Sequence, residues 1–147
     1  MFFLYTLFAL AAVATLIFAV PLRAKAWAAT AVVGLGALAA SAAAVGVLAG
    51  KAGLSLWSTP GTLFGSDSGS MVRLSALFVL LVSIGSVASV LYARGYLEHT
   101  LREKSPAHVS LHYTALTVMS LAMLGVVTSD GGYSFLFFWE LMTVASF

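Results

Sequence analysis

"LSALFVLLVSIGSVASVLYA", residues 74–93, runs for twenty positions without a charge between Arg73 and Arg94. A helix needs about 20 apolar residues to cross about 30 Å of hydrocarbon, and this run has that length. Within lipid each backbone N–H and C=O must find its partner inside the segment, which favours a helix. A membrane β-strand would instead alternate apolar and polar residues over about ten positions, and this run does not alternate.

The pattern repeats on both sides. Residues 1–22 and 26–50 carry no charge, and 105–129 carry none apart from histidines. The sequence therefore predicts helices near 2–22, 27–49, 73–93, 109–128 and 133–147, with polar loops at 51–72 and 94–108. The expected fold is an all-α membrane protein with four transmembrane helices plus a truncated fifth. The run from Gly131 reaches only to Phe147, short of a full span, so the expectation is the N-terminal fragment of a longer protein. Composition agrees with a membrane class. Hydrophobic residues make up 61% and charged residues 8%, against about 25% charged in a soluble domain. Mean hydropathy is +1.05.

Net charge is only +2, and its scatter along the chain argues against a nucleic-acid partner. The chain contains no cysteine, which removes disulfides, thiolate-held iron–sulfur clusters and cysteine-ligated zinc from consideration. No cofactor or metal site is expected, so any redox centre belongs to a partner chain. Ala24-Lys25-Ala26 has the small residues of a signal-peptide cleavage site. However, no basic residue precedes the apolar run, and the run exceeds the usual 7–15 residues or so. A retained first helix is the expectation.

Pro21 is expected to break the first helix, with Arg23 and Lys25 in a short turn. Ala42, Gly46 and Gly50 recur every four residues on the second helix. Such a stripe suits close helix packing, and equally suits alanine facing lipid. Gly50-Lys51 ends that helix. Gly, Ser, Pro and Asp make 51–72 a loop with room for a short hairpin, and Trp57 and Phe64 fit the headgroup level. "SDGG" at 129–132 reads as a tight turn. Arg23, Lys25, Arg94, Arg102 and Lys104 load the first and third loops. Lys51 and Arg73 flank the second, and the fourth has no basic residue. The positive-inside bias places the N-terminus outside the cytoplasm.

Candidate chemistry concentrates on Glu140. Nine uncharged residues precede it and seven follow. It lies roughly 10 Å below the start of the fifth helix at 1.5 Å per residue. A charge near the bilayer centre costs at least about 2.5 kcal/mol, so it requires a hydrated cavity, a cationic partner or a neutral, hydrogen-bonded state. In the first two cases Glu140 serves as a proton site, and Thr143, one turn on, supports a water chain. All seven Lys and Arg lie in or beside loops, so none is an evident partner. His108 and His112 are four apart and share a helical face. No further ligand stands at metal-site spacing, and interfacial packing or a proton relay is the better reading. His99, with Glu98, Arg102, Glu103 and Lys104, reads as a solvated loop or partner contact. No phosphate loop, nucleophile elbow or nicotinamide fingerprint occurs.

Two stretches carry a resemblance: "RLSALFVLLVSIGSVASVLYARGYLEH" (73–99) and "YSFLFFWELMTVASF" (133–147). They resemble the antiporter-like, proton-translocating membrane subunits of complex I, of membrane-bound nickel–iron hydrogenases and of Mrp antiporters. "FWELMTVAS" is similar to the family's fifth helix, whose glutamate lies on the ion pathway. That role carries over to Glu140. "LSALF" and "GYLEH" are similar to the third helix and its exit, and "GYLEH" looks closest to the hydrogenase-4 and formate hydrogenlyase branch. Relatives often carry an acidic residue two positions before "LS", and Val72 stands there. The resemblance implies roughly fourteen helices with inverted repeats and a lysine partner on the seventh helix. It implies other membrane subunits and peripheral redox subunits as partners, and a bacterial or archaeal plasma membrane. A Mrp-type cation/proton antiporter and a small structural membrane protein remain alternatives.

Overall fold

The computed structural model describes residues 21–62, 65–100 and 106–147. The first expected helix and Phe64 fall outside these residues, as do Arg102, Glu103 and Lys104. The described chain forms α1 (Leu22–Leu48), a hairpin of β1 (Leu54–Thr62) and β2 (Gly65–Met71), then α2 (Arg73–Thr100), α3 (Pro106–Thr128) and α4 (Gly132–Ser146). Three segments are long and apolar enough to cross a membrane: Ala24–Leu48, Arg73–Tyr96 and Pro106–Thr128. Helix α4, with 15 residues, falls short of the roughly 20 that a span requires. The four-plus-one expectation therefore reduces, among the described residues, to three helices long and apolar enough to span and one shorter helix.

Several boundaries differ from the sequence-based ones. Pro21 starts a helix here. It is the N-cap of α1, with φ −56° and ψ 146°, and the extended backbone it favours is that of a residue just outside a helix. Arg23 and Lys25 thus belong to the first turns of α1 and not to a loop. Helix α2 runs on through Arg94 and Gly95 into the stretch expected as loop. A lone glycine costs a helix only about 1 kcal/mol, and no proline intervenes before Pro106. Pro106 itself opens α3, where its missing N–H costs nothing.

Within 51–72 the short hairpin that the sequence left room for is present and extends over most of the stretch. It is an antiparallel hairpin, so the all-α class does not hold for this part of the chain. Leu54 pairs with Met71, Trp57 with Gly69 and Thr59 with Asp67, with register irregularities between Ser55 and Trp57 and between Thr59 and Thr62. Serine, threonine and glycine propagate a helix poorly. An isolated two-stranded hairpin is marginal in water, and this one leans on the helices beside it. Helix α1 delivers the chain to it through a Schellman ending. Gly50 has φ +98°, Gly50 N–H donates to the Val47 carbonyl and Lys51 N–H to the Gly46 carbonyl.

Helix packing follows a spacing of three and four. Helix α2 buries Ala76, Val79, Ser83, Ser86, Val90 and Ala93 along one face, a seam of small and β-branched residues that lets helices approach closely. Helix α1 buries Ala29, Val33, Ala37, Ala44 and Val47. The stripe of Ala42, Gly46 and Gly50 is not this seam. Ala42 and Gly50 are exposed, and Gly46 lies beside the Lys51 side chain. Two apolar clusters result. Ala29, Val33, Val90, Ala93, Val109 and Tyr113 close the end away from the hairpin. Ala44, Val47, Met71, Ala76 and Val79 close the hairpin end. Between them lies a hydroxyl layer. Ser83, Ser86, Thr117 and Ser120 line a cavity of about 20 Å³. Thr117 and Ser120 donate to the carbonyls of Tyr113 and Leu116 one turn back. This satisfies their hydroxyls without water and keeps the side chains small at the crossing. Leu35, Leu38, Leu81 and Ile84 are exposed, as residues facing lipid would be.

Candidate functional site

The site is built around α4, the helix that bears Glu140. Its first turn has no acidic residue, and its N-cap, Gly131, has no side chain with which to cap. The unpaired N–H groups of a helix start carry partial positive charge. Here the hairpin supplies what the helix lacks. Asp67 of β2 is 4% exposed. Its Oδ1 accepts the Ser134 hydroxyl at 3.0 Å, and the Ser134 N–H points to the same oxygen at 3.4 Å. Residues 130 and 131 are held from the other side. The N–H groups of Asp130 and Gly131 donate to the Ser68 carbonyl at 2.9 and 3.2 Å. The Ser70 hydroxyl donates to Asp130 Oδ1 at 3.0 Å. Gly69 and Ser129 form an isolated bridge. Glycine is required at 131, because a Cβ there would collide with the Asp67 carboxylate.

Aromatic packing secures the next turn. The Trp57 ring covers Gly69, and the Phe138 ring covers Gly125 of α3, each so closely that a Cβ on the glycine would overlap the ring. Trp57 and Phe138 face each other with centroids 6.3 Å apart. Trp57 is therefore turned onto the hairpin and α4. Hairpin, α3 and α4 meet at one end of the bundle, with the 129–132 turn beside the hairpin. This geometry puts the second and fourth loops on the same side, as the alternation of apolar runs requires.

Glu140 lies on the opposite side of α4 from this attachment. Ser134 and Phe138 are buried, whereas Trp139, Glu140 and Val144 are exposed. No described residue forms a hydrogen bond or ion pair with the Glu140 carboxylate. Thr143 is half-buried, and its hydroxyl donates to the Trp139 carbonyl at 3.0 Å. Its oxygen keeps a lone pair for a further donor. Chemically, the described chain presents an exposed carboxylate beside exposed apolar side chains, Trp139 and Leu136, on α4.

No family model matches the sequence, and no curated protein matches it significantly.

The remaining candidates lie elsewhere. His108 and His112 are exposed on the first turns of α3, and the His112 ring meets Tyr113 edge-on at 6.1 Å. Among the described residues no group of three or more His, Cys, Asp or Glu could hold a metal. At the same end, the Arg94 guanidinium stacks over Trp27, 3.6 Å from the ring centroid. Asp67 had no sequence signal beyond its place in a serine- and glycine-rich stretch. What makes it important is its contact with Ser134, 67 positions away, which no local pattern encodes.

Proposed function

We propose that this chain belongs to the proton-translocating membrane subunit of a redox-driven complex, of NADH:quinone oxidoreductase or group 4 hydrogenase type, with Glu140 as the proton-pathway carboxylate. The observation that carries this is Glu140 itself, an acid on the exposed face of an apolar helix with no described partner. A carboxylate so placed is costly unless another element brings a cation or water to it. A group held between those two conditions is suited to bind and release a proton. The resemblance of "FWELMTVAS" to the fifth helix of antiporter-like subunits supports the same role. The chain has no cysteine, so electrons would pass through partner subunits, and this chain would move protons in response to their change of state.

The test is Glu140→Gln in the membrane complex that carries the chain. Proton translocation per assembled complex is expected to fall about a hundred-fold, in the range typical for loss of a proton-transfer group. Unchanged translocation refutes the proposal. Cation/proton exchange that persists without any electron donor would instead favour the Mrp-type antiporter.

A further inference from the structure

Resting on that reading, we infer that Asp67 is a positioning residue for Glu140. The hairpin reaches across and caps the helix that carries the proton-pathway acid, setting its depth and rotation.

Three observations converge. First, α4 cannot cap itself. Its N-cap is glycine and its first turn lacks an acid, yet its start is buried at Ser134. Second, Asp67 is inserted where those orphan donors lie, taking the Ser134 hydroxyl and facing its N–H. Gly131 leaves the space the carboxylate occupies. Third, Asp67 Oδ2 is buried and has no hydrogen-bond partner among the described residues. A buried acid with a free oxygen is unfavourable by itself. It persists because Oδ1 and the positive end of α4 offset that cost. The attachment is therefore directional, since Asp67 gains only when α4 sits at this one height and angle. Glu140 follows six residues later on the same rigid helix, roughly 9 Å further along its axis. A shift of α4 at Ser134 moves Glu140 by the same amount, and 1 Å of misplacement suffices to cost about 10²-fold where chemistry depends on geometry.

The test compares Asp67→Ala, Asp67→Asn and Ser134→Ala in the assembled membrane complex, with Glu140→Gln as reference. Two quantities are read on complex that has assembled: protons moved per electron transferred, and deuterium exchange of the peptide covering 130–138. In Asp67→Ala, exchange is expected to rise roughly five-fold, the effect of losing one helix cap, and protons per electron to fall. Asparagine keeps an Oδ1 acceptor but loses the charge, so Asp67→Asn should fall between the parent and Asp67→Ala in both readouts. Ser134→Ala, the milder change, should reproduce the direction of Asp67→Ala and add nothing to it in the double variant. Unchanged exchange in Asp67→Ala and Ser134→Ala overturns the cap. Faster exchange with an unchanged proton-to-electron ratio overturns the positioning role and leaves only a structural one. If Glu140→Gln itself leaves the ratio intact, the transport reading fails, while the exchange measurement still decides whether Asp67 holds α4.

Discussion

Gly125 offers the sharpest test of how α3 and α4 are held together. Its missing side chain makes room for the Phe138 ring, and a Cβ placed there falls inside contact distance of three ring carbons. Phe138 cannot easily retreat. It is 6% exposed, Trp57 faces it at 6.3 Å and Phe137 meets it edge-on at 5.3 Å. Carbon atoms at rest sit about 3.5–4.0 Å apart, so Gly125→Ala forces the ring to move by about an ångström. Overpacking of this kind costs about 1–3 kcal/mol. Alanine also improves helix propensity by about 1 kcal/mol, which partly masks the cost. Gly85 on α2 removes that ambiguity, because a Cβ there meets nothing within 4 Å. The stability difference between Gly125→Ala and Gly85→Ala isolates the clash and should be about 2 kcal/mol, a factor of about 30 in the folding equilibrium. Equilibrium unfolding in mixed detergent micelles measures it. Phe138→Leu, which narrows the ring site, should remove most of the difference. Equal stability shifts at 85 and 125, or a Gly125→Ala cost unaffected by Phe138→Leu, would refute this account of the α3–α4 contact.

Two further changes probe other parts of the fold. Gly50→Ala places a Cβ on a residue with φ +98° and should destabilise the protein by about 1–2 kcal/mol, measured by the same unfolding titration. A loss no greater than at Gly85 would contradict the Schellman ending of α1. At the opposite end, Trp27→Leu and Arg94→Leu should each cost about 0.5–1 kcal/mol, with the double variant costing no more than the larger single change. Additive losses in this cycle would mean that the stacked pair is not energetically coupled.

The sequence by itself determined where the chain can cross lipid. Uncharged length and the need to satisfy every backbone group are local properties, so α1, α2 and α3 were legible from 26–50, 74–93 and 105–129. Glu140 was legible for the same reason, as the one acid in a long uncharged run. Boundaries were less so. Charged residues marked loops in the sequence, yet Arg23, Lys25 and Arg94 lie within helices, because Lys and Arg are themselves good helix formers and a charge alone does not end a helix. Only the tertiary structure decided the rest. Whether 51–72 is loop or hairpin depends on a helix end for it to lean on. Which small residues form the seam depends on the neighbouring helices, and these chose Ala29, Ala37 and Ala44 over the 42–46–50 stripe. The capping of α4 by Asp67 joins residues 67 positions apart. Hydropathy is summed along the chain, whereas a hydrogen bond or a ring seated on a glycine exists only once two distant segments share one place.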